Sequence, residues 1–561
     1  MESLLFVAFG PLVVLVLRWR VVRTIRKCID ITGPAKDHFF KGLQLPSNLP
    51  DGLRFNLNMS EQYGGAVRVH VLLGEEQLYV SDPRTLHHII VKEQHIYNET
   101  DAFLMTNKLI FGTQHKKQRK MLNPVFSLAN MRDLLPIIQP IADQLLAALL
   151  TELPPDGEKE INIIPLMSRT ALEYICQAGM GYTFNTLESG TTSYPTAMRI
   201  IMLRPFIPHI VRGLPLRWCN ALVDWVPMPA LREMCEIVGT LDSVSKTIYA
   251  EKKAAMDGRA TKGALVGGDL GPRMKGRDII SILLKANSSS SDADRLTEAE
   301  LLGQMNTIIF AAFETTTVAI ARLFYVLATR PDAQARLRNE LRAAKQAHAV
   351  AGERWEDVAL PYDALMGLPY LDAIVRETFR VYPPTSLMSR VTRQATVLPL
   401  EQPVRSSSGE RISSIPLPEG TTVIVSILAA NHNKEVWGED ASAWCPERWL
   451  TASSERIRID APSESKIKYP GVYASMMTFL GGGRACIGFK FAEMELKQVV
   501  ATLLPALSLE LPSEPDESGN VKEIYWKMNG LQVPVVRLPF GDDRTPQVPL
   551  TIRRVEERDF S

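Results

Sequence analysis

Residues 4–17 are apolar throughout apart from Gly10 and Pro11, and Arg18, Arg20, Arg23, Arg26 and Lys27 follow. An apolar run with its positive charges behind it reads as an amino-terminal membrane segment, because a cleaved signal peptide carries them in front. A spanning helix wants roughly 17–25 apolar residues, so a single-pass anchor over 1–22 and a monotopic one are both compatible with this short run. The positive-inside rule places everything after Arg18 in the cytosol. Residues 23–50 lose any period, and Gly33-Pro34 and Leu45-Pro46 mark a basic, helix-breaking hinge. Val67-Arg68-Val69-His70-Val71 and Gln77-Leu78-Tyr79-Val80 then predict a β-hairpin.

From about Met131 the pattern is mostly helical. Four consecutive serines within 286–294 predict a loop, after which Thr297-Glu298-Ala299-Glu300 is a capping-box signature opening a long apolar helix over 301–327. No internal repeat or second domain is evident, so one large body is expected over 51–541. The charged, proline-containing residues 542–561 read as a polar surface tail.

Composition mainly narrows the partners. A chain of 561 residues that is 46% hydrophobic can build a large core. Its 63 basic and 62 acidic side chains leave no reason to expect nucleic acid. Six cysteines, Cys28, Cys176, Cys219, Cys235, Cys445 and Cys486, include no C-x-x-C pair, the usage of a reducing compartment.

Candidate chemistry begins at Phe479-Leu480-Gly481-Gly482-Gly483-Arg484-Ala485-Cys486-Ile487-Gly488. A thiolate in such a turn can ligate a haem iron, glycines let backbone approach the metal, and Arg484 can neutralise an anion beside it. A lone cysteine is also commonly a small buried hydrophobe. The run lacks the phosphate-loop spacing G-x-x-x-x-G-K-[ST]. Within the long helix, Glu314-Thr315-Thr316-Thr317 is a polar knot, either functional or merely back-bonded to the preceding turn. Glu377 and Arg380 stand one turn apart and, taken alone, form an ordinary i,i+3 pair.

Phe479, Gly482, Arg484, Cys486 and Gly488 meet the pattern F-x-x-G-x-R-x-C-x-G, and the decapeptide resembles the haem-binding loop of the cytochrome P-450 family. The resemblance implies a mainly α fold with small β-sheets behind an N-terminal membrane anchor, and a haem-thiolate catalytic domain in which Cys486 is the axial iron ligand. Ala311-Ala312-Phe313-Glu314-Thr315-Thr316 resembles the distal-helix motif, with Ala312 where glycine is frequent. In that motif the acid and first threonine, here Glu314 and Thr315, relay protons to dioxygen. Glu377-Thr378-Phe379-Arg380, followed by Tyr382-Pro383-Pro384, resembles the E-x-x-R helix. Pro446-Glu447-Arg448-Trp449 resembles the segment whose arginine closes a structural triad, here Glu377, Arg380 and Arg448.

The resemblance also assigns haem propionate contacts to His115, Arg119 and Arg390, with Arg393 competing for the last role. His115 stands where tryptophan is usual, a replacement similar to a fungal microsomal branch. Lys116, Lys117 and Lys120 are expected on a solvated face that can steer a reductase. Pocket lining is implied at Phe103, Leu104, Phe310, Ala311, Leu387 and Leu531, with further lining from residues 198–214. The expected protein is a monooxygenase of the endoplasmic reticulum membrane that oxidises a lipophilic molecule such as a terpenoid or other secondary metabolite. It would use haem b, O2 and NADPH through a cytochrome reductase, with cytochrome b5 as a further candidate donor. A reductase-independent haem-thiolate isomerase or dehydratase, or a non-catalytic haem-binding protein, is the alternative.

Overall fold

The computed structural model describes residues 29–34, 52–100 except 72–74, 115–189 except 156, 229–256, 276–450 except 292–294, most of 468–556, and 559. The expected anchor over 1–22, nearly all of the hinge, and the pocket candidates Phe103, Leu104 and 198–214 lie outside the described residues.

Strands in the first part of the chain are β1 (Ala66–His70), β2 (Glu76–Val80), β3 (Tyr97–Asn98), β4 (Glu158–Asn162), β5 (Leu387–Thr392) and β6 (Thr396–Arg405). They are followed by β7 (Arg411–Leu417), β8 (Thr422–Ser426), β9 (Leu507–Glu510), β10 (Ile524–Asn529), β11 (Leu531–Val536) and β12 (Pro549–Arg554). The helices that bear on the site are α1 (His115–Leu122), α2 (Leu128–Glu152), α3 (Ile164–Tyr174), α4 (Glu298–Ala328), α5 (Pro331–His348), α6 (Pro369–Val381) and α7 (Phe489–Leu503).

The chain divides into two compact units where its pattern predicts one body. The first takes residues 1–100, 385–443 and 459–485, and the second takes 101–384, 444–458 and 486–561. Each is assembled from three separated segments, so no single linker marks the division in the sequence. The first unit holds a sheet of order β1-β2-β8-β5-β3. Its predicted hairpin is present, with Val69 opposite Gln77 and Val67 opposite Tyr79. The period-two pattern buries Val67, Val69 and Tyr79 in one cluster with Met59 and Ile424. Leu387, expected in a pocket, is half-buried and packs against that cluster, so its visible role is core.

The second unit is mainly helical, with the small sheets β4-β12-β9 and β10-β11. The capping box at Thr297 forms as predicted, its Oγ1 accepting from Glu300 N at 3.3 Å while Thr297 N donates to Glu300 Oε2 at 2.8 Å. By length and apolarity α2 and α4 would each cross a membrane. However, α4 is packed by α3, α5, α6 and α7, which accounts for its composition as a core helix.

The expected surface tail is corrected. β12 is the central strand of the sheet β4-β12-β9, with Leu550 and Ile552 fully buried. Alternation of Val548, Leu550 and Ile552 drives this pairing, each such side chain contributing roughly 1.5–3 kcal/mol on burial. Asp559, also in the supposed tail, pairs with Arg553 at 2.6 Å.

Candidate functional site

The cysteine loop is short because its glycines permit it. Gly482 has φ +63°, and a Cβ there would lie 2.5 Å from the Ile90 carbonyl oxygen, so no other residue fits without a shift. Gly488 has φ −89°, and its nearest neighbour to an added Cβ is Phe126 at 3.9 Å. Backbone strain therefore does not demand glycine at 488. Phe479 is buried edge-on to Tyr473 with ring centroids 6.2 Å apart.

Cys486 begins the last of the three segments of the second unit. Its own surface is exposed, yet the surrounding protein desolvates it and pushes the thiol up. Two groups counter the desolvation: the Gly488 N–H donates to the sulfur, and Arg119 adds positive potential. Burial lowers the Arg119 guanidinium in turn, while a charged Cys486 would raise it. Arg119 Nε donates to Asn123 Oδ1 at 3.1 Å. His115 is exposed at the first turn of α1, as is Lys120 further along it.

The middle of α4 breaks an otherwise sealed helix. Residues 301–306 and 316–324 are buried without exception, but Thr307, Phe310, Ala312 and Thr315 are half-buried and Ala311 is exposed. Thr307, Ala311 and Thr315 stand four apart and share one face, so the helix offers a narrow, small-residue stripe to open space. Glu314 lies beside the stripe and is buried. Thr315 Oγ1 donates to Ala311 O at 2.6 Å, so the back-bonded reading of this threonine holds alongside any functional one. Thr316 turns the other way and donates to Glu495 Oε2 of α7 at 3.0 Å. Burial lifts the Glu495 carboxyl well above the ordinary range, and the Thr316 hydrogen bond opposes that shift.

Around Glu377 the expected triad is assembled. Its Oε1 accepts from Arg380 Nη2 at 2.7 Å, Arg448 Nε at 3.1 Å and Cys445 N at 2.9 Å. Its Oε2 accepts from Arg380 Nε at 2.8 Å and Trp449 Nε1 at 2.9 Å.

In the first unit Arg390 and Arg484 meet on a carboxylate that the sequence did not single out. Arg390 Nη1 donates to Glu99 Oε2 at 2.8 Å, and Arg484 Nη1 donates to Glu99 Oε1 at 2.7 Å. Arg484 Nη2 also donates to Asn98 Oδ1 at 3.0 Å. Burial lowers the Arg390 guanidinium, and Glu99 opposes that shift. Arg393 instead donates to the Glu99 backbone carbonyl at 2.7 Å, so the two arginines hold different groups of Glu99.

Among the described residues no group of three or more His, Cys, Asp or Glu could hold a bare metal ion. Phe310 flanks the open stripe, whereas Leu531 is buried at the start of β11. The sequence reading singled out neither Glu99 nor Glu495. No local motif marks Glu99, while Glu495 follows Cys486 closely enough to have been read as a carboxylate on the next helix.

Residues 34–534 match the family model described as cytochrome P-450. The chain is 40% identical over 552 residues to cytochrome P-450 monooxygenase 91 of Postia placenta, an alignment covering 94% of each chain. It is 38% identical over 562 residues to monooxygenase 81 of the same fungus, covering 97% of this chain and 96% of that one. A ganoderic acid synthetase of Ganoderma lucidum is 34% identical over 534 residues, covering 90% and 91% respectively.

Proposed function

Because this chain belongs to the cytochrome P-450 family and is a monooxygenase of it, we propose that it oxidises a lipophilic terpenoid or comparable secondary metabolite, with electrons drawn from NADPH through a reductase. The observation that carries this reading is the open stripe of Thr307, Ala311 and Thr315 in the middle of a buried helix, with Glu314 beside it. Phe310 and the alanines make that surface suit an apolar ligand. The relative named for ganoderic acid supports the terpenoid class.

The residues present fit haem b. In the second unit Cys486 would hold its iron, with His115 and Arg119 for a carboxylate; taken by itself, the Arg390 and Arg484 pair of the first unit suits a carboxylate. When bound, haem supplies the redox chemistry that activates dioxygen, and a cysteinate ligand favours O–O cleavage. The chain's own residues do the rest. Burial raises the Cys486 thiol, and the Gly488 N–H and Arg119 oppose that shift. Glu314 holds a proton source beside the stripe, and Thr315 Oγ1 offers its lone pairs to a water or hydroxyl arriving there. Glu377, Arg380 and Arg448 brace the scaffold.

The apolar-then-basic order of residues 4–27 supports an anchor in the endoplasmic reticulum membrane with the body in the cytosol. Lys117 and Lys120 of α1 support docking of an acidic reductase, and cytochrome b5 is the second donor proposed.

The test is spectroscopic first. Reduced protein under carbon monoxide should absorb at the thiolate position, and Cys486→Ser should abolish that band. Thr315→Ala should keep the band while product formed per NADPH falls roughly tenfold or more, the electrons leaving as hydrogen peroxide. An unaltered band in the first variant, or unaltered yield in the second, overturns the assignment.

A further inference from the structure

Arg68 of β1 is a half-buried cation that meets no carboxylate among the described residues. Its Nε is buried without a hydrogen bond, and Nη1 reaches the Ile29 carbonyl at 3.4 Å and Ser407 Oγ at 3.5 Å, both long for such a bond. A guanidinium carries five N–H donors in a planar fork whose best match is a carboxylate or a phosphate. Two neutral oxygens at that range leave it open to an anion. Residues 29–34 and the β6–β7 hairpin both come up to Arg68, and all three belong to the first unit. Thr32 N donates to Arg405 O at 3.0 Å, and Arg68 N donates to Thr32 O at 3.2 Å, so 29–34 form a strap between β1 and the hairpin. The approach is close, since a Cβ on Gly33 would stand 1.9 Å from Arg68 O. Ser407 N also donates to Asp30 Oδ1 at 3.1 Å, which ties the hairpin tip to the strap.

The tip reads Arg405-Ser406-Ser407-Ser408-Gly409-Glu410-Arg411, closed where Ser406 N donates to Glu410 O at 2.7 Å and Gly409 takes φ +91°. Its three serines differ. Ser406 is buried, and its hydroxyl is engaged by Ser408 Oγ at 2.7 Å and by Glu410 N at 3.1 Å. Ser407 is exposed, and its hydroxyl meets only Arg68 among the described residues. The exposed Arg405 and Arg411 stand two residues before it and four after, a charge pattern of the kind by which kinases select substrates.

We propose that Ser407 is a phosphorylation site for an arginine-directed serine kinase, and that its phosphate, captured by Arg68, loosens residues 29–34 from the hairpin. In the transfer the bond from the γ-phosphorus of ATP to its bridging oxygen breaks and the Ser407 Oγ–P bond forms. ADP leaves, and the hydroxyl proton passes to the base of the kinase. The product carries about −1.5 to −2 charges at pH 7. It gives the Arg68 fork a bidentate partner and draws Nη1 from Ile29 O, and it sets a like charge beside Asp30. The strap follows the apolar and basic residues 4–27, so the modification sets how firmly that stretch is tied to the sheet. Nothing in it depends on the haem-monooxygenase reading.

The test treats full-length protein with ATP and the catalytic subunit of the cyclic-AMP-dependent kinase, an arginine-directed enzyme. Peptide mass spectrometry should place the phosphate on Ser407, and Ser407→Ala should remove it. Hydrogen exchange in peptides covering 29–34 should quicken roughly tenfold on phosphorylation and stay unchanged in β8. In phosphorus NMR the phosphoserine should titrate below its ordinary second pKa of about 6, and Arg68→Met should return it there. Arg68→Lys keeps the charge but loses the fork, and should recover only part of the shift. Phosphate on Ser406 or Ser408 with none on Ser407 overturns the proposal. So does a phosphoserine that titrates as a free one, and so does unchanged exchange at 29–34. Vesicles containing phosphatidic acid that slow exchange at 29–34 and block labelling of Ser407 would assign Arg68 to a lipid headgroup, and the proposal fails. If Arg68→Met does not fold, exchange in the parent and in Ser407→Ala still decides.

Discussion

Glu377 and Glu99 each hold two arginines on one carboxylate, and they differ in how much of the hydrogen-bonding capacity is already committed. Glu377 and Arg380 are wholly buried, and the Glu377 oxygens receive five donors. Glu99 keeps 18% of its side-chain surface and Arg484 keeps 25%, with one nitrogen of each arginine committed to the carboxylate. A saturated, enclosed cluster can only brace. A half-open one, carrying two positive charges against one negative, retains attraction for an incoming anion. The same residue types thus make an enclosed, saturated cluster in one unit and a half-open one in the other.

The strongest way to break this comparison is Glu377→Gln. It leaves Arg380 buried without its counter-charge and should cost about 3–5 kcal/mol in urea unfolding, equally in haem-loaded and haem-depleted protein. Glu99→Gln should cost less, about 1–3 kcal/mol in the haem-depleted protein, because Arg390 keeps only its carbonyl partner. That loss should shrink by at least about half once haem is loaded, since haem carboxylates can replace Glu99. Equal losses with and without haem would make Glu99 a second scaffold. The mildest change is Arg132→Ala. Arg132 grips Asp363 through two nitrogens at 2.8–3.2 Å, yet the pair is 46% and 72% exposed. No measurable shift in melting temperature is expected, which would show that enclosure, not fork geometry, separates Glu377 from a surface pair.

Much of the site was legible because it is local. Cys486, Arg484 and Gly482 fall in one decapeptide, Glu314 and Thr315 are adjacent, and Glu377 reaches Arg380 across three residues. Glu99 is 291 residues from Arg390 and 385 from Arg484, a separation no spacing rule bridges. Ser407 is likewise 339 residues from Arg68. The fold divides the same way. The Val67 hairpin and the Thr297 cap are written in neighbouring residues, whereas β12 looked like a tail because its partners β4 and β9 are remote or unremarkable in charge. Its Val548, Leu550, Ile552 alternation was present, but three charged residues at 553–556 masked it.

The Thr315 hydroxyl has a single hydrogen, and Ala311 O already holds it. Seen from the open stripe the side chain is therefore an acceptor, and a visitor must bring the hydrogen. Rotating the hydroxyl to donate instead gives up one backbone contact, a difference of about 1 kcal/mol or a few-fold in population. The helix thus carries a two-position polarity toggle whose resting setting favours protonated visitors, and a methyl group in place of the hydroxyl would leave that toggle without either position.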